Sequence, residues 1–337
     1  MTSPARVVLP AGTFWINGLD ASKYGLNTSK ALGFRGAGVD KTIIKMGYNT
    51  WKTNTQPPAN SGTLWRNGYN SATARIQSTL SDLTIQGSFQ YMDDGTTAMN
   101  TAGVVNAYGT NTVWQNVKMV YASQGSGNNP ALGETFAANM FHDNNTVIRF
   151  LEVDGRDPNG KRAGAAPFGC NNSTNIVIED SYFHDNGWST LTFSITGTPS
   201  TASATTGVTT RRVKIAHNAN QYLTGGGRMP GINHEHVLGP IRHYNPDIQM
   251  DNAQLWDTAH MLFYTTLTDN ADIEIYDPVW YEGPPKSNGC FTVQLKGNQV
   301  TPPKVFINGV QLSPVISKGQ PASVLNVDPA TQFVVMT

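Results

Sequence analysis

Short strand-like runs recur through the middle of the chain at 83–89, 113–119, 147–153, 176–183 and 213–217. Their starts are spaced by roughly 30 to 36 residues, the range in which a repeat architecture forms. The clearest pair sets Asn145-Thr146-Val147-Ile148-Arg149-Phe150-Leu151-Glu152-Val153-Asp154-Gly155 against Thr174-Asn175-Ile176-Val177-Ile178-Glu179-Asp180-Ser181-Tyr182-Phe183. Each reads as Asn or Thr, an apolar pair, a polar step and an apolar exit. No helical period lies between such runs, so the spacing predicts a parallel coil in which each turn stacks on the last. Apolar side chains then point inward and polar ones outward. Turns lie ~4.8 Å apart, so equal positions form ladders and a corner Asn can bond to the Asn of the next turn. An antiparallel sandwich would instead need turn signals about every 8 to 12 residues.

Composition agrees. The 337 residues include 31 Asn, 37 Thr and 33 Gly, and only 14% are charged. Thr, Asn and Gly favour strands and tight turns over helices. Lys plus Arg and Asp plus Glu each number 23, which argues against a nucleic-acid binder held by bulk charge. No apolar run approaches the ~20 residues of a membrane-spanning helix, so membrane insertion is not expected. Residues 1–10 lack a charged head followed by an apolar core, which predicts no secretory signal. Cys170 and Cys290 have no metal-site spacing and read as two buried thiols.

The front of the chain adds a resemblance. Arg6-Val7-Val8-Leu9-Pro10-Ala11-Gly12-Thr13-Phe14-Trp15-Ile16 is followed by Leu32-Gly33-Phe34-Arg35-Gly36-Ala37-Gly38-Val39-Asp40-Lys41-Thr42-Ile43-Ile44-Lys45-Met46. These residues resemble the opening turns of the pectin-lyase-like superfamily, which includes pectate lyases, phage tail spikes and minor tail proteins. The resemblance implies an all-β fold, a right-handed single-stranded parallel β-helix. It covers the opening turns and the repeats to about Asn220. It is specific for fold rather than chemistry, because the superfamily hosts lyases, hydrolases, isomerases and inert shafts.

Three polar stretches, 47–72, 155–172 and 196–210, are expected to bulge from the coil and form a binding wall. From 297 onward the runs shorten, and Asn308-Gly309 between two of them signals a hairpin. The expected organisation is a β-helix over 1–296 and a small antiparallel cap or interaction segment over 297–337, covering strand edges that an open coil end exposes.

Candidate chemistry starts with carboxylates. The resemblance implies a groove along one sheet, and acids at equal positions of adjacent turns would lie ~5 Å apart. Candidates are Asp93, Asp94, Asp154, Asp157, Asp180 and Asp185, with His142 or His184 as proton carrier. A polygalacturonase would show Asn-Thr-Asp, a paired Asp, Gly-His-Gly and Arg-x-Lys; only Asp93-Asp94 and Arg212-Val213-Lys214 are present. The Trp-x-Asp-His run of pectate lyases is also missing. Corner duty explains Asp143-Asn144, Asp154-Gly155 and Asp185-Asn186-Gly187 without any reaction. The segment 33–42 superficially suggests a phosphate loop, but Asp40 stands where a second Gly must precede Lys, and a strand follows instead of a helix. If 234–236 is a strand, His234 and His236 share a face with His243 nearby, a conceivable metal site set against a polar wall or intersubunit contact. No cofactor motif is found.

Trp51, Trp65, Trp188, Trp256 and Trp280 fall in or beside turn-rich segments, and flat aromatic faces stack on sugar rings. Plugging coil ends is the competing explanation. The combined expectation is a virion protein of a phage tail, a minor tail or receptor-binding β-helix. It is expected as a homotrimer that contacts other tail proteins and a host surface polysaccharide. The alternative is a polysaccharide lyase or glycoside hydrolase, extracellular or mounted on a tail.

Overall fold

The computed structural model describes residues 5–16, 26–28, 32–46, 65–67, 77–87, 104–107, 109–120, 136–156, 166–185, 190–194, 204–218, 231–250, 261–265, 272–282, 291–295, 302–318, 327–328 and 330–336. Their secondary structure is strand and turn, with no helix among the described residues. The strands stack in parallel into three ladders that wind around one interior. The first ladder climbs from Ala5–Val8 through Leu32–Arg35, Ser78–Gln86, Val113–Val120, Asn144–Asp154, Thr174–Glu179, Thr206–Arg211, Leu238–Tyr244 and Ile273–Tyr276 to Val305–Ile307. The second starts at Gly12–Ile16 and Thr42–Met46, shares the three longest strands, and continues through Tyr182–His184, Lys214–Asn218 and Asp247–Met250 to Val279–Glu282. The third has eleven strands, from Leu26–Thr28 to Ser313–Ile316. In the first two sheets from Ser78–Gln86 onward, partners in adjacent turns are 30 to 34 residues apart, the repeat read from the sequence.

Side-chain alternation fills the interior. In the first ladder Leu80, Trp114, Ile148, Ile178 and Ile275 point inward; in the second Leu83, Val117, Leu151, Phe183 and Ile215 do; in the third Phe168, Cys170, Phe193, Phe263 and Val293 do. All are buried. Burial of Cys170 agrees with expectation; Cys290 lies outside the described residues. Full burial of one such side chain contributes ~1.5–3 kcal/mol, and the turns are held by the sum.

Corners are cheap because they use one residue. The chain passes from the first sheet to the second through Asp82, Asn116, Phe150, Asp180, Arg212, Asn245 and Asp277, all with φ between +47° and +58°. Asn and Asp bond locally and tolerate this left-handed geometry, whereas it costs other residues ~1–2 kcal/mol. The corner between the third and first sheets stacks Asn111, Asn145 and Asn175. Asn145 Nδ2 donates to Asn111 Oδ1 at 3.2 Å, and Asn175 Nδ2 donates to Asn145 Oδ1 at 2.9 Å. The expected Asn ladder is therefore present. Beneath it Asp143 is buried, its carboxylate accepting the Gly109 N–H (2.6 Å) and the Thr112 and Thr146 hydroxyls.

Glycines 36 and 38 turn the opening corner. A Cβ on Gly36 would stand 2.2 Å from the Asp82 carbonyl oxygen, and Gly38 has φ +142°.

One reading changes. The stretches 47–72, 155–172 and 196–210 were expected to bulge, yet they contain Trp65–Asn67 of the third sheet, the start of Thr206–Arg211 of the first, and Ala166–Asn171, a strand of the third. Its Pro and Gly conceal a two-residue alternation in which Phe168 and Cys170 face the core. At the end of the chain the expected antiparallel element is present, the hairpin of Val305–Ile307 and Val310–Gln311. The hairpin turns on Asn308 and Gly309, both at positive φ. Val305–Ile307 still pairs in parallel with Ile273–Tyr276, and Gln332–Met336 with Phe291–Leu295, so the coil continues past 297.

Candidate functional site

The outward side of the second sheet carries two rows of side chains. Register places Lys118, Glu152, Tyr182, Lys214 and Asp247 in one row, and Val120, Asp154, His184 and Ala216 in the other. Asp185 follows His184 at a left-handed corner, φ +56°. Of the sequence candidates, the coil thus gathers Asp154, His184 and Asp185, and adds Glu152, Arg156, Lys118 and Tyr182.

His184 organises the cluster. Its Nδ1 lies 2.8 Å from Asp185 Oδ2 and its Nε2 3.5 Å from Glu152 Oε1. The Tyr182 ring stacks on the imidazole with centroids 4.4 Å apart. Burial opposes a charge on the ring, but the bonds to Glu152 and Asp185 and the charge of Asp154 outweigh it, so the His184 pKa is raised. Glu152 is lowered, first by its bond to His184, against burial, and also by Lys118 Nζ at 3.1 Å. For Asp154, burial works upward but the Arg156 bonds win and lower it; Arg156 Nε and Nη2 donate to its two oxygens at 2.9 and 2.6 Å.

Asp154, His184 and Asp185 offer ligand atoms within 4.8 Å of one another. Arg156, also 3.7 Å from Asp185 Oδ2, already brings positive charge to the two carboxylates. The geometry is that of a charge-compensated polar patch rather than an acid pair awaiting a cation.

Asp180 is separate: it is a corner residue whose carboxylate takes both nitrogens of Arg212 at 2.6 and 2.8 Å. His142 stands at a third-to-first sheet corner, edge-on to Phe141. His234 points into the core against His243, while His236 lies beyond the strand at φ +54°. Asp93, Asp94, Asp157, Trp51, Trp188 and Trp256 lie outside the described residues. Trp65 and Trp280 are in strands of the third and second sheets, with side chains outside the described set.

Glu152 was missed in the sequence. The signal was present: it sits two residues before Asp154 in an alternating strand, so both project from one face.

No family model matches the chain, and no curated protein matches it. Among solved structures, the chain is similar to ORF18 of Geobacillus virus E2, with TM-score 0.48 and 12% identity over 91% of this chain and 54% of that one. It is similar to the A-module of the mannuronan C-5 epimerase AlgE4 of Azotobacter vinelandii, with TM-score 0.42 and 15% identity over 90% and 89%. A third is the catalytic domain of a GH87 α-1,3-glucanase in complex with nigerose, with TM-score 0.42 and 13% identity over 98% and 60%. The chain spans about half the length of the phage protein. The architecture rests on the chain's own strand pairing rather than on these likenesses: it is a parallel β-helix.

Proposed function

We propose that the protein is a structural and adsorption component of a phage tail, and that the outward flank of its second sheet contacts a surface glycan. The observation that carries this reading is the row of hydrogen-bonding side chains that successive turns bring together at Lys118, Glu152, Asp154, Tyr182 and His184. Sugar hydroxyls are bound by such convergent donors and acceptors beside an aromatic ring. A glycosidase acid needs its pKa raised to donate a proton near neutrality. Glu152 and Asp154 are shifted the other way, which favours adsorption over hydrolysis. As virion partners we propose a homotrimer with shafts side by side and neighbouring tail proteins.

One observation favours the second reading, a polysaccharide lyase or hydrolase. His184 is a proton carrier held between two carboxylates. Incubation with host envelope polysaccharide separates the readings. Adsorption predicts retention of the glycan that Glu152→Gln and His184→Ala weaken, with no new reducing ends or unsaturated products. Release of either product by the wild type, lost in His184→Ala, would establish the enzyme. Absence of any retained polysaccharide would remove the adsorption reading.

A further inference from the structure

Position 150 departs from the rule of its own corner. Six of the seven left-handed residues between the first and second sheets are Asp, Asn or Arg. Asn116 Nδ2 donates to Asp82 Oδ1 at 2.9 Å, and Arg212 donates to Asp180. Phe150 occupies the same conformation at φ +54°, although its side chain offers no local hydrogen bond. The residue is also 52% exposed. Strained backbone and apolar exposure both oppose folding, and Asn, as at 116 and 245, would relieve both. Such a residue points to a use outside the fold.

Its place supplies the use. Phe150 lies in the strand Asn144–Asp154, two residues before Glu152, at the rim of the His184 cluster. Register sets Asn116 beside it in one turn and Asp180 in the next. An anchor for a protein interface is normally surrounded by other apolar groups that exclude water. This ring has polar neighbours, the setting in which one face of a pyranose lays its C–H groups on an aromatic ring while its hydroxyls reach the flanking side chains.

Resting on the adsorption reading, we infer that Phe150 is the sugar-stacking platform of the second-sheet site. The ligand class is a polysaccharide with at least one pyranose presenting an unsubstituted C–H face, bound with its hydroxyls toward Glu152 and Lys118. The corner has given up stability for that contact.

The test uses the full chain as Phe150→Asn, Phe150→Trp and Glu152→Gln, with affinity for purified host envelope polysaccharide and thermal midpoint measured on each. Phe150→Asn is expected to raise the midpoint by about 2 °C and to weaken glycan binding about ten-fold. Phe150→Trp keeps the binding. If Phe150→Asn binds like the wild type while Glu152→Gln loses affinity, the platform is wrong and the adsorption reading stands. If the wild type binds no polysaccharide, both fall. If Phe150→Asn instead dissociates an oligomer and leaves glycan affinity unchanged, the ring is a subunit contact and the inference is overturned.

Discussion

His234 Nε2 and His243 Nε2 lie 3.1 Å apart in the interior of the coil, both fully buried. Phe193 and Phe263 flank His234 in its row, Thr210 and Ile275 flank His243, and Thr210 Oγ1 is 2.8 Å from His243 Nδ1. Among the described residues these flanking groups carry no charge, while Glu235, Arg242 and Glu274 face outward. Burial, then the neighbouring His234, pushes the His243 pKa well below its ordinary value. The folded ring therefore stays neutral while the unfolded chain binds protons from about pH 6.5 downward. Stability is lost as pH falls below that value. Replacing the pair by His234→Phe with His243→Ile, which continues both rows, should lower the acid-unfolding midpoint by about half a pH unit. Circular dichroism against pH checks it; an unchanged midpoint would refute the role.

His184 works in the opposite sense. Its raised pKa means that its bonds to Glu152 and Asp185 contribute fully below about pH 6.5 and fade as pH rises through the folded value. Glu152→Gln removes one anionic partner, so the imidazole should titrate at lower pH, read by NMR of the ring protons. No downward movement would show that Glu152 does not hold the proton.

The buried Asp143 carboxylate binds one backbone N–H and two hydroxyls, and its own N–H donates to Ser173 Oγ at 3.1 Å. Asp143→Ala strands these groups and should cost about 3 kcal/mol. Asp143→Asn, able to accept part of the network, should cost less. Urea midpoints order the two variants.

At Asn145 the side chain both donates and accepts along the corner ladder. Asn145→Ala loses the bonds and incurs left-handed strain, an expected cost of about 2 kcal/mol. Asn145→Gly keeps the backbone geometry and should lose roughly 1 kcal/mol. Equal thermal midpoints for the two would contradict the conformational part of the argument.

The interior rows were legible because alternation and period are local properties of the sequence: Ile148 and Ile178 can be matched by eye, and the register pairs them. The Asn145 ladder followed from the same period. The third sheet was harder, since Ala166–Asn171 carries Pro and Gly in a strand whose identity depends on neighbours above and below. His234 and His236 looked like partners on one face, but the strand ends at Glu235 and His236 turns left-handed, so spacing by two no longer means a shared face. His243 became the partner only through winding of the coil. Asp154 and His184 are 30 residues apart and meet by register; their convergence needed the turn length to be known to the residue.

The single-residue bend between the first and second sheets also restricts how this chain can change through descent. Adding or deleting one amino acid at Asp180, between Ile178 and Phe183, would turn the following strand inside out and set charged groups in the oily interior. From Asp82 onward, length variation therefore falls in the connections that enter and leave the third sheet, so new surface can be acquired there while the bend stays constant in size.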